Sequence, residues 1–363
     1  VTYIRAELAE LSAGSNSSNS TDGRKPAIEA VNLTKRFGNR ISVDRLNLKI
    51  CQGELYSLLG DNGAGKTTTI NMLTTLIKPT AGQFFISGFD GIKDEEKTKG
   101  AFGIVSQDVA IYHELTAYEN LEFIANLYGL PKTKIKNRIT YLLELSGLSD
   151  RANDIVGTFS GGMQRRLSIA SALLHEPAVL FMDEPTVGLD PGARRQIWAT
   201  LSALRGQGVT ILLTTHYLDE AELLSDRIGI IRKGKLVAEG TFDQLRERFE
   251  AIRTIEVSLA RRYKQEEIEK KLGNLKTRYI SQWSFDPVHN SVNFAQPHNV
   301  SLPKSLKTIL NWLEEENISF SKFSTAEPSL EEVFLAMSGS KEYSSNDLEQ
   351  IVLDVSTETE VEK

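Results

Sequence analysis

Residues 60–68 read GDNGAGKTT and fill the spacing G-x-x-x-x-G-K-[ST] at Gly60, Gly65, Lys66 and Thr67. Glycines in this pattern let backbone N–H groups wrap an anion at close range, where a Cβ would block the approach or forbid the dihedrals. The candidate cradle is the whole run Gly60, Asp61, Asn62, Gly63, Ala64, Gly65, Lys66, Thr67 and Thr68. Lys66 adds a mobile positive charge for outer phosphates, and the Thr67 hydroxyl is placed to ligate Mg²⁺. A helix starting here directs free N–H groups and its positive dipole end at the same phosphates. A Gly-rich turn followed by a chance Lys-Thr is the plainer alternative. The flanks argue against it, because Leu55, Tyr56, Leu58 and Leu59 make an apolar strand before the loop and a helix-capable stretch follows.

Two further stretches carry chemistry. Residues 178–185, AVLFMDEP, read as a buried strand that ends on two carboxylates, at the sheet edge where α/β folds place ligands. Asp183 is a candidate Mg²⁺ ligand, and Glu184 a candidate general base that would deprotonate a water attacking a γ-phosphate. Residues 159–166, FSGGMQRR, open a helix with a Ser hydroxyl and unblocked N–H groups at Ser160, Gly161 and Gly162, which amounts to a second anion-binding end. Standing alone, this segment would read equally well as a Ser N-cap followed by glycine.

The elements that must position these residues follow from the hydrophobic pattern. Short β-type runs at residues 27–31 and 42–50 lead into the loop. Apolar runs at residues 84–86, 102–105, 179–182, 209–213 and 228–231 then alternate with helical stretches, which predicts a mostly parallel, buried sheet. Between Gln107 and Pro177, residues 116–128, 132–145 and 162–175 show helical spacing without a clear strand, so a helical insertion is expected there.

With these motifs in order, residues 27–240 resemble the ATP-binding subunits of ABC transporters. The phosphate loop resembles Walker A, Asp183-Glu184 resembles Walker B with its catalytic glutamate, and Ser160 to Met163 resembles the signature motif. The resemblance implies a P-loop NTPase of α/β class, with a RecA-like core, a β subdomain and a helical insertion. It implies ATP and Mg²⁺ as ligands, and it assigns several single residues that mean little alone. Gln107 matches the Q-loop glutamine that touches Mg²⁺ and the attacking water, Asp190 falls in the D-loop Gly188-Leu189-Asp190, His216 matches the switch histidine, and Phe37 matches the aromatic that stacks on adenine. The expected catalytic set is Glu184, His216 and Gln107, and the expected metal set Thr67, Gln107 and Asp183. Met163 stands where many members have Gln, Phe159 where many have Leu, and Asp61 where Pro is frequent. The first two, with Arg165-Arg166, also occur in the branch of daunorubicin-resistance-type drug and lipid exporters. In this family two such domains pack head to tail, the signature segment of one closing over the nucleotide of the other. The resemblance therefore implies a second ATP-binding subunit, with a homodimer expected, and a membrane-spanning permease, at the cytoplasmic face of the cell membrane. Alternatives are a soluble ABC ATPase acting on DNA or ribosomes, an importer ATPase, and a non-catalytic nucleotide sensor.

Composition narrows these choices. The chain has 363 residues, 42 Lys and Arg against 48 Asp and Glu, and a net charge of −6, which disfavours nucleic acid as a main partner. The single Cys51 reads as a small buried hydrophobe, and no apolar run is long enough to span a bilayer, so direct membrane insertion is not expected. His113, His175, His289 and His298 read as structural or exposed. Residues 1–25 read as a disordered segment whose non-Met start points to processing or truncation, and the N-x-[ST] triplets at Asn16 and Asn19 read as accidental. The ATPase domain is expected over residues 26–243, with its helical subdomain at about 108–177. Residues 250–339 give strand 254–259, helix 265–272, strands 277–283 and 291–294, helix 304–316, strand 318–323 and a final helix 329–337. That order predicts a small ferredoxin-like α+β domain, followed by an acidic tail at 340–363. PSLEEVFLAMSG, at 328–339, resembles the C-terminal segment of the same exporter branch, which implies a regulatory or dimerisation role for this domain, with a purely structural cap as the alternative.

Overall fold

The computed structural model describes residues 24–248 and 253–326, apart from 109, 274, 276–278, 281 and 297–299. The chain divides into two compact units between Thr241 and Phe242. The N-terminal segment, His298, the expected final helix at 329–337, PSLEEVFLAMSG and the acidic tail lie outside the described residues.

In the first unit, β1 (Pro26–Phe37) and β2 (Arg40–Cys51) form an antiparallel pair, and β3 (Leu55–Leu59) runs into the phosphate loop and α1 (Lys66–Leu73). Next come β4 (Ala81–Ile86), β5 (Phe89–Asp90), α2 (Glu95–Ala101) and β6 (Phe102–Val105). The helical stretch holds α3 (Ala117–Leu127), α4 (Lys132–Leu145) and α5 (Gly161–Ala172). The unit closes with β7 (Val179–Asp183), α6 (Pro191–Gly206), β8 (Thr210–Thr215), α7 (Leu218–Leu224), β9 (Arg227–Arg232) and β10 (Lys235–Gly240).

Two sheets result. The larger has the order β10-β9-β3-β8-β7-β6, parallel except for β10, which pairs antiparallel with β9. The smaller, β2-β1-β4-β5, is antiparallel throughout. Residues 84–86 belong to this smaller sheet, not to the parallel one. An apolar triplet has the same texture in either, and only its neighbours decide: Phe84 and Ile86 pair with Ala30 and Ile28 of β1. Alternation along the parallel strands divides the core into two layers. Tyr56, Leu58, Phe181 and Leu212 face a cluster that includes α1 and the antiparallel sheet, while Leu55, Leu180, Met182, Ile211 and Leu213 face one that includes the helical stretch. Burial on both faces is what a crossover-connected parallel sheet requires. The helices expected from spacing are present, with α4 at the expected bounds. α3 starts in a capping box: Glu119 N–H donates to Thr116 Oγ1, and Thr116 N–H donates to Glu119 Oε2.

The second unit contains α8 (Phe242–Arg248), β11 (Arg253–Leu259), α9 (Gln265–Leu272), β12 (Gln282–Asp286), β13 (Ser291–Gln296), α10 (Leu302–Glu315) and β14 (Phe320–Ala326). The sheet order β12-β13-β11-β14, antiparallel throughout, is the ferredoxin-like arrangement. Ile255, Val257, Val292 and Phe294 pack against Ile268, Leu272, Ile309 and Trp312. The strand expected at 277–283 instead runs from Gln282 to Asp286. Its end is set by a turn in which Asp286 Oδ1 accepts from the N–H groups of Val288 and His289 and Asn290 takes φ 51°. This brings both Trp283 and Phe285 against the core.

Candidate active site

The parallel sheet delivers three loops to one edge. Leu59 pairs with Thr215 and Asp183 with Thr214, so β3, β8 and β7 end side by side and release Gly60, His216 and Glu184 at the same level. Placing ligand-binding loops at the carboxyl ends of parallel strands is general for such sheets.

The phosphate loop is shaped by its glycines. Gly65, the N-cap of α1, has φ 113°, and a Cβ there would lie 2.7 Å from Ser42 O. Any other residue would be strained in dihedral and blocked in space. The Lys66 side chain is buried and turns back along the loop, donating from Nζ to Gly60 O at 2.6 Å and to Asp61 O at 3.1 Å. Thr67 is exposed at the helix start, whereas Thr68 shares a 2.9 Å hydrogen bond with Ser42 Oγ. Phe37 ends β1 with 52% of its surface exposed, so it is not a core residue, and Lys35 Nζ lies 5.1 Å from its ring centroid.

Glu184 is at the centre of the constellation. Its Oε1 is 3.2 Å from Lys66 Nζ and its Oε2 is 3.2 Å from His216 Nδ1, the latter without the alignment of a hydrogen bond. Its backbone lies in the left-handed region at φ 46°, held by N–H donation to Thr214 O and Thr214 Oγ1. Thr214 also donates to Asp183 Oδ1 at 2.5 Å. The sequence reading passed over Thr214; a Thr-Thr pair at the buried end of an otherwise apolar strand, directly before His216, was the available signal. His216 is partly exposed and in ring contact with Tyr217, centroids 4.3 Å apart.

Ser160, Gly161 and Gly162 open α5, where Met163 N–H donates to Ser160 Oγ at 3.3 Å. Arg165, one turn on, is buried and donates to the carbonyls of Ser106 and Gln107, so the helix grips the loop that carries Gln107. Burial pulls its pKa below the ordinary guanidinium value, opposed by Asp108 and Asp183. Gln107 itself is exposed, two residues beyond Val105, which pairs with Met182. Asp190 caps α6, its Oδ1 accepting from Gly192 and Ala193 N–H at 2.9 Å each; these bonds hold its carboxyl below the usual range. The structure thus brings Lys66, Asp183, Glu184 and His216 together, with Gln107 on the adjoining strand end. Ser160–Gly162 and Asp190 stand at two other helix starts, α5 and α6.

The oxygen donors Thr67, Gln107 and Asp183 suit Mg²⁺, which takes few protein ligands and keeps the remainder for water and phosphate. No group of three or more His, Cys, Asp or Glu that could hold another metal occurs among the described residues.

Comparison with known proteins agrees with this geometry. The family described as ABC transporter matches residues 43–187. The linearmycin resistance ATP-binding protein LnrL of Bacillus subtilis (strain 168) is 44% identical over 214 residues, 59% of this chain and 69% of that protein. The daunorubicin resistance ATP-binding protein DrrA2 of Streptomyces coeruleorubidus is 34% identical over 313 residues, 86% of this chain and 95% of that protein. Among solved structures, an ATP-binding subunit of an ABC transporter aligns with a TM-score of 0.57 at 32% identity, covering 61% of this chain and 93% of that one. A dimeric, post-hydrolysis ATP-binding cassette bound to ADP and Pi aligns with a TM-score of 0.53 at 28% identity, covering 59% and 98%. A parallel sheet that presents Lys66, Glu184 and His216 at one edge, together with kinship extending over nearly the whole of DrrA2, means that this chain belongs to the ABC transporter ATP-binding family and is an ATPase of that family.

Proposed function

We propose that this chain hydrolyses ATP to energise an exporter, two copies closing head to tail around two nucleotides. The observation that carries the reading is the Glu184 carboxylate, 3.2 Å from both Lys66 Nζ and His216 Nδ1 at the mouth of the phosphate loop.

In this reading Phe37 stacks on adenine, while the backbone N–H groups from Gly60 to Thr68 and the Lys66 ammonium hold the phosphates. Thr67, Gln107 and Asp183 hold Mg²⁺, which when bound neutralises charge on the β- and γ-phosphate oxygens. Glu184 accepts a proton from the attacking water as the water oxygen bonds to the γ-phosphorus. The bond from that phosphorus to the bridging oxygen breaks, and its electron pair leaves with ADP. His216 holds the γ-phosphate in line with the water, and Thr214 keeps Asp183 and Glu184 aimed. Ser160, Gly161 and Gly162 close over the nucleotide held by the partner copy, and Asp190 lies along the same seam.

In this reading a membrane-spanning permease carries the substrate and this chain works at its cytoplasmic side; no described helix is long and apolar enough to cross a membrane. The exposed Tyr112–Phe123 pair, ring centroids 5.0 Å apart, supports the helical stretch as the docking face. Export follows from the relatives' names, which refer to resistance to linearmycin and daunorubicin; those names and the net charge of −6 do not favour an ATPase acting on DNA or ribosomes. Replacing Glu184 with Gln keeps ATP binding and lowers turnover about a hundredfold or more, the scale of a general base. Near-normal turnover in a phosphate-release assay refutes the role.

A further inference from the structure

Glu220, on α7, is fully buried at 0% exposure, yet nothing in the proposed chemistry uses it. Its Oε1 accepts from Thr186 Oγ1 at 2.9 Å and from Trp198 Nε1 at 3.0 Å, while its Oε2 has no aligned partner. The two donors come from different places. Thr186 lies two residues beyond Glu184, and Trp198 lies on α6, two turns after the cap Asp190. Glu220 itself follows His216 by four residues.

A second fastening lies one turn earlier on α6. The Arg194 guanidinium covers the Tyr217 ring at 4.4 Å, with Arg194 NH1 3.7 Å from Asp219 Oδ2. α6 therefore holds the start of α7 at two successive levels, just after His216. Of the two, the Glu220 fastening also reaches Thr186, in the loop behind Glu184. A buried carboxylate shared between a hydroxyl and an indole N–H, each itself buried, fixes the spacing of the segments that carry them, because burial makes a lost bond costly to replace. Burial raises the Glu220 pKa above the ordinary range, with Thr215, Trp198 and Thr186 opposing the shift and Asp219 adding to it.

We propose that Glu220 is a positioning residue for hydrolysis: through Thr186 and Trp198 it sets the placement of His216 against Glu184 and ties both to the helix that begins at Asp190. This rests on the catalytic reading of Glu184 and His216 given above. A misplacement of about 1 Å in such a constellation costs on the order of a hundredfold in rate without weakening substrate binding.

The test uses the full chain and three measurements: kcat and KM for ATP, ATP-driven dimerisation, and thermal unfolding. Glu220→Leu removes the acceptor; its kcat falls about tenfold to a hundredfold, with KM and dimerisation unchanged. Glu220→Gln keeps an oxygen for both donors and restores kcat to within about threefold of the parent. If Glu220→Leu does not fold, Thr186→Val and Trp198→Phe, each deleting one donor, lower kcat several-fold at constant KM. The inference is overturned by an unchanged kcat in these variants, by a Gln variant as impaired as Leu, or by losses of kcat and ATP binding in step. Glu184→Gln assayed alongside separates the two claims. Normal turnover in that variant defeats the catalytic reading, whereas its inactivity beside unaffected Glu220 variants defeats only the positioning role.

Discussion

A Cβ at Gly162 would lie 2.5 Å from the Cβ of Ala193 on α6, whereas one at Gly161 would meet Leu189 Cδ2 at an ordinary 3.7 Å. Adjacent glycines in one motif thus have different reasons to be glycine: Gly162 lets two helices touch, and Gly161 leaves a backbone N–H open. Gly162→Ala therefore destabilises the nucleotide-free chain by about 1–3 kcal/mol, the usual range for overpacking, as thermal unfolding without ATP reads. Gly161→Ala leaves that melting temperature within error and weakens ATP-driven pairing in light scattering. Equal destabilisation by both would mean the two positions share one packing role. The run SGG was legible in the sequence as a capped helix start, because a Ser followed by glycines is a fixed signal for one. The packing half was not, since Ala193 is 31 positions away and only the approach of α6 gives Gly162 its second constraint. Glu220 was hidden for the same reason: it becomes informative only when Thr186 and Trp198 converge on it.

At the scale of elements, α5 packs on β6 and the turn after it supplies His175. The His175 Nε2–H donates to Phe102 O at 2.9 Å, its ring stacks on Tyr128 with centroids 4.1 Å apart, and its buried Nδ1 has no partner. Burial pushes its pKa below the ordinary histidine value, and Arg138 adds to the shift, with the Phe102 carbonyl opposing. A histidine depressed in the folded state contributes fully at pH above its unfolded pKa of about 6.5, and that contribution is lost as pH falls through the unfolded value toward the folded one. The melting temperature of the parent chain therefore falls more steeply between about pH 7 and about pH 5 than that of His175→Phe, which starts lower for want of the hydrogen bond. Parallel pH profiles would remove His175 from the account. Helical spacing gave α3 and α4 within a residue and α5 within three, because a buried stripe must repeat every turn. Strand partners were less legible: the triplet at 84–86 is as apolar as the strands of the parallel sheet, and nothing within it says which neighbours it will have. The boundary of β12 was missed because Asp286, not the apolar run before it, ends the strand.

The second unit, which begins at Phe242, is a compact body distinct from the ATPase unit. Its helices are locked to each other, Lys271 Nζ donating to Glu316 O at 2.8 Å and Trp312 Nε1 donating to Lys271 O at 3.3 Å, and its antiparallel sheet has its own core. Our proposal for it is pairing of the ATPase subunits. A chain ending near residue 240 then dimerises less with ATP than the full chain, by light scattering, while retaining nucleotide binding; unchanged dimerisation makes the unit a structural cap. The hold of Arg165 on the Ser106 and Gln107 carbonyls has a further consequence at this scale. In the head-to-tail pair proposed above, α5 of each copy would rest on the other copy's nucleotide while its guanidinium grips its own Gln107 loop. Information would then run in a closed circuit, nucleotide on one copy steering the glutamine of the other and back again, so that a single faulty copy would break the loop for both.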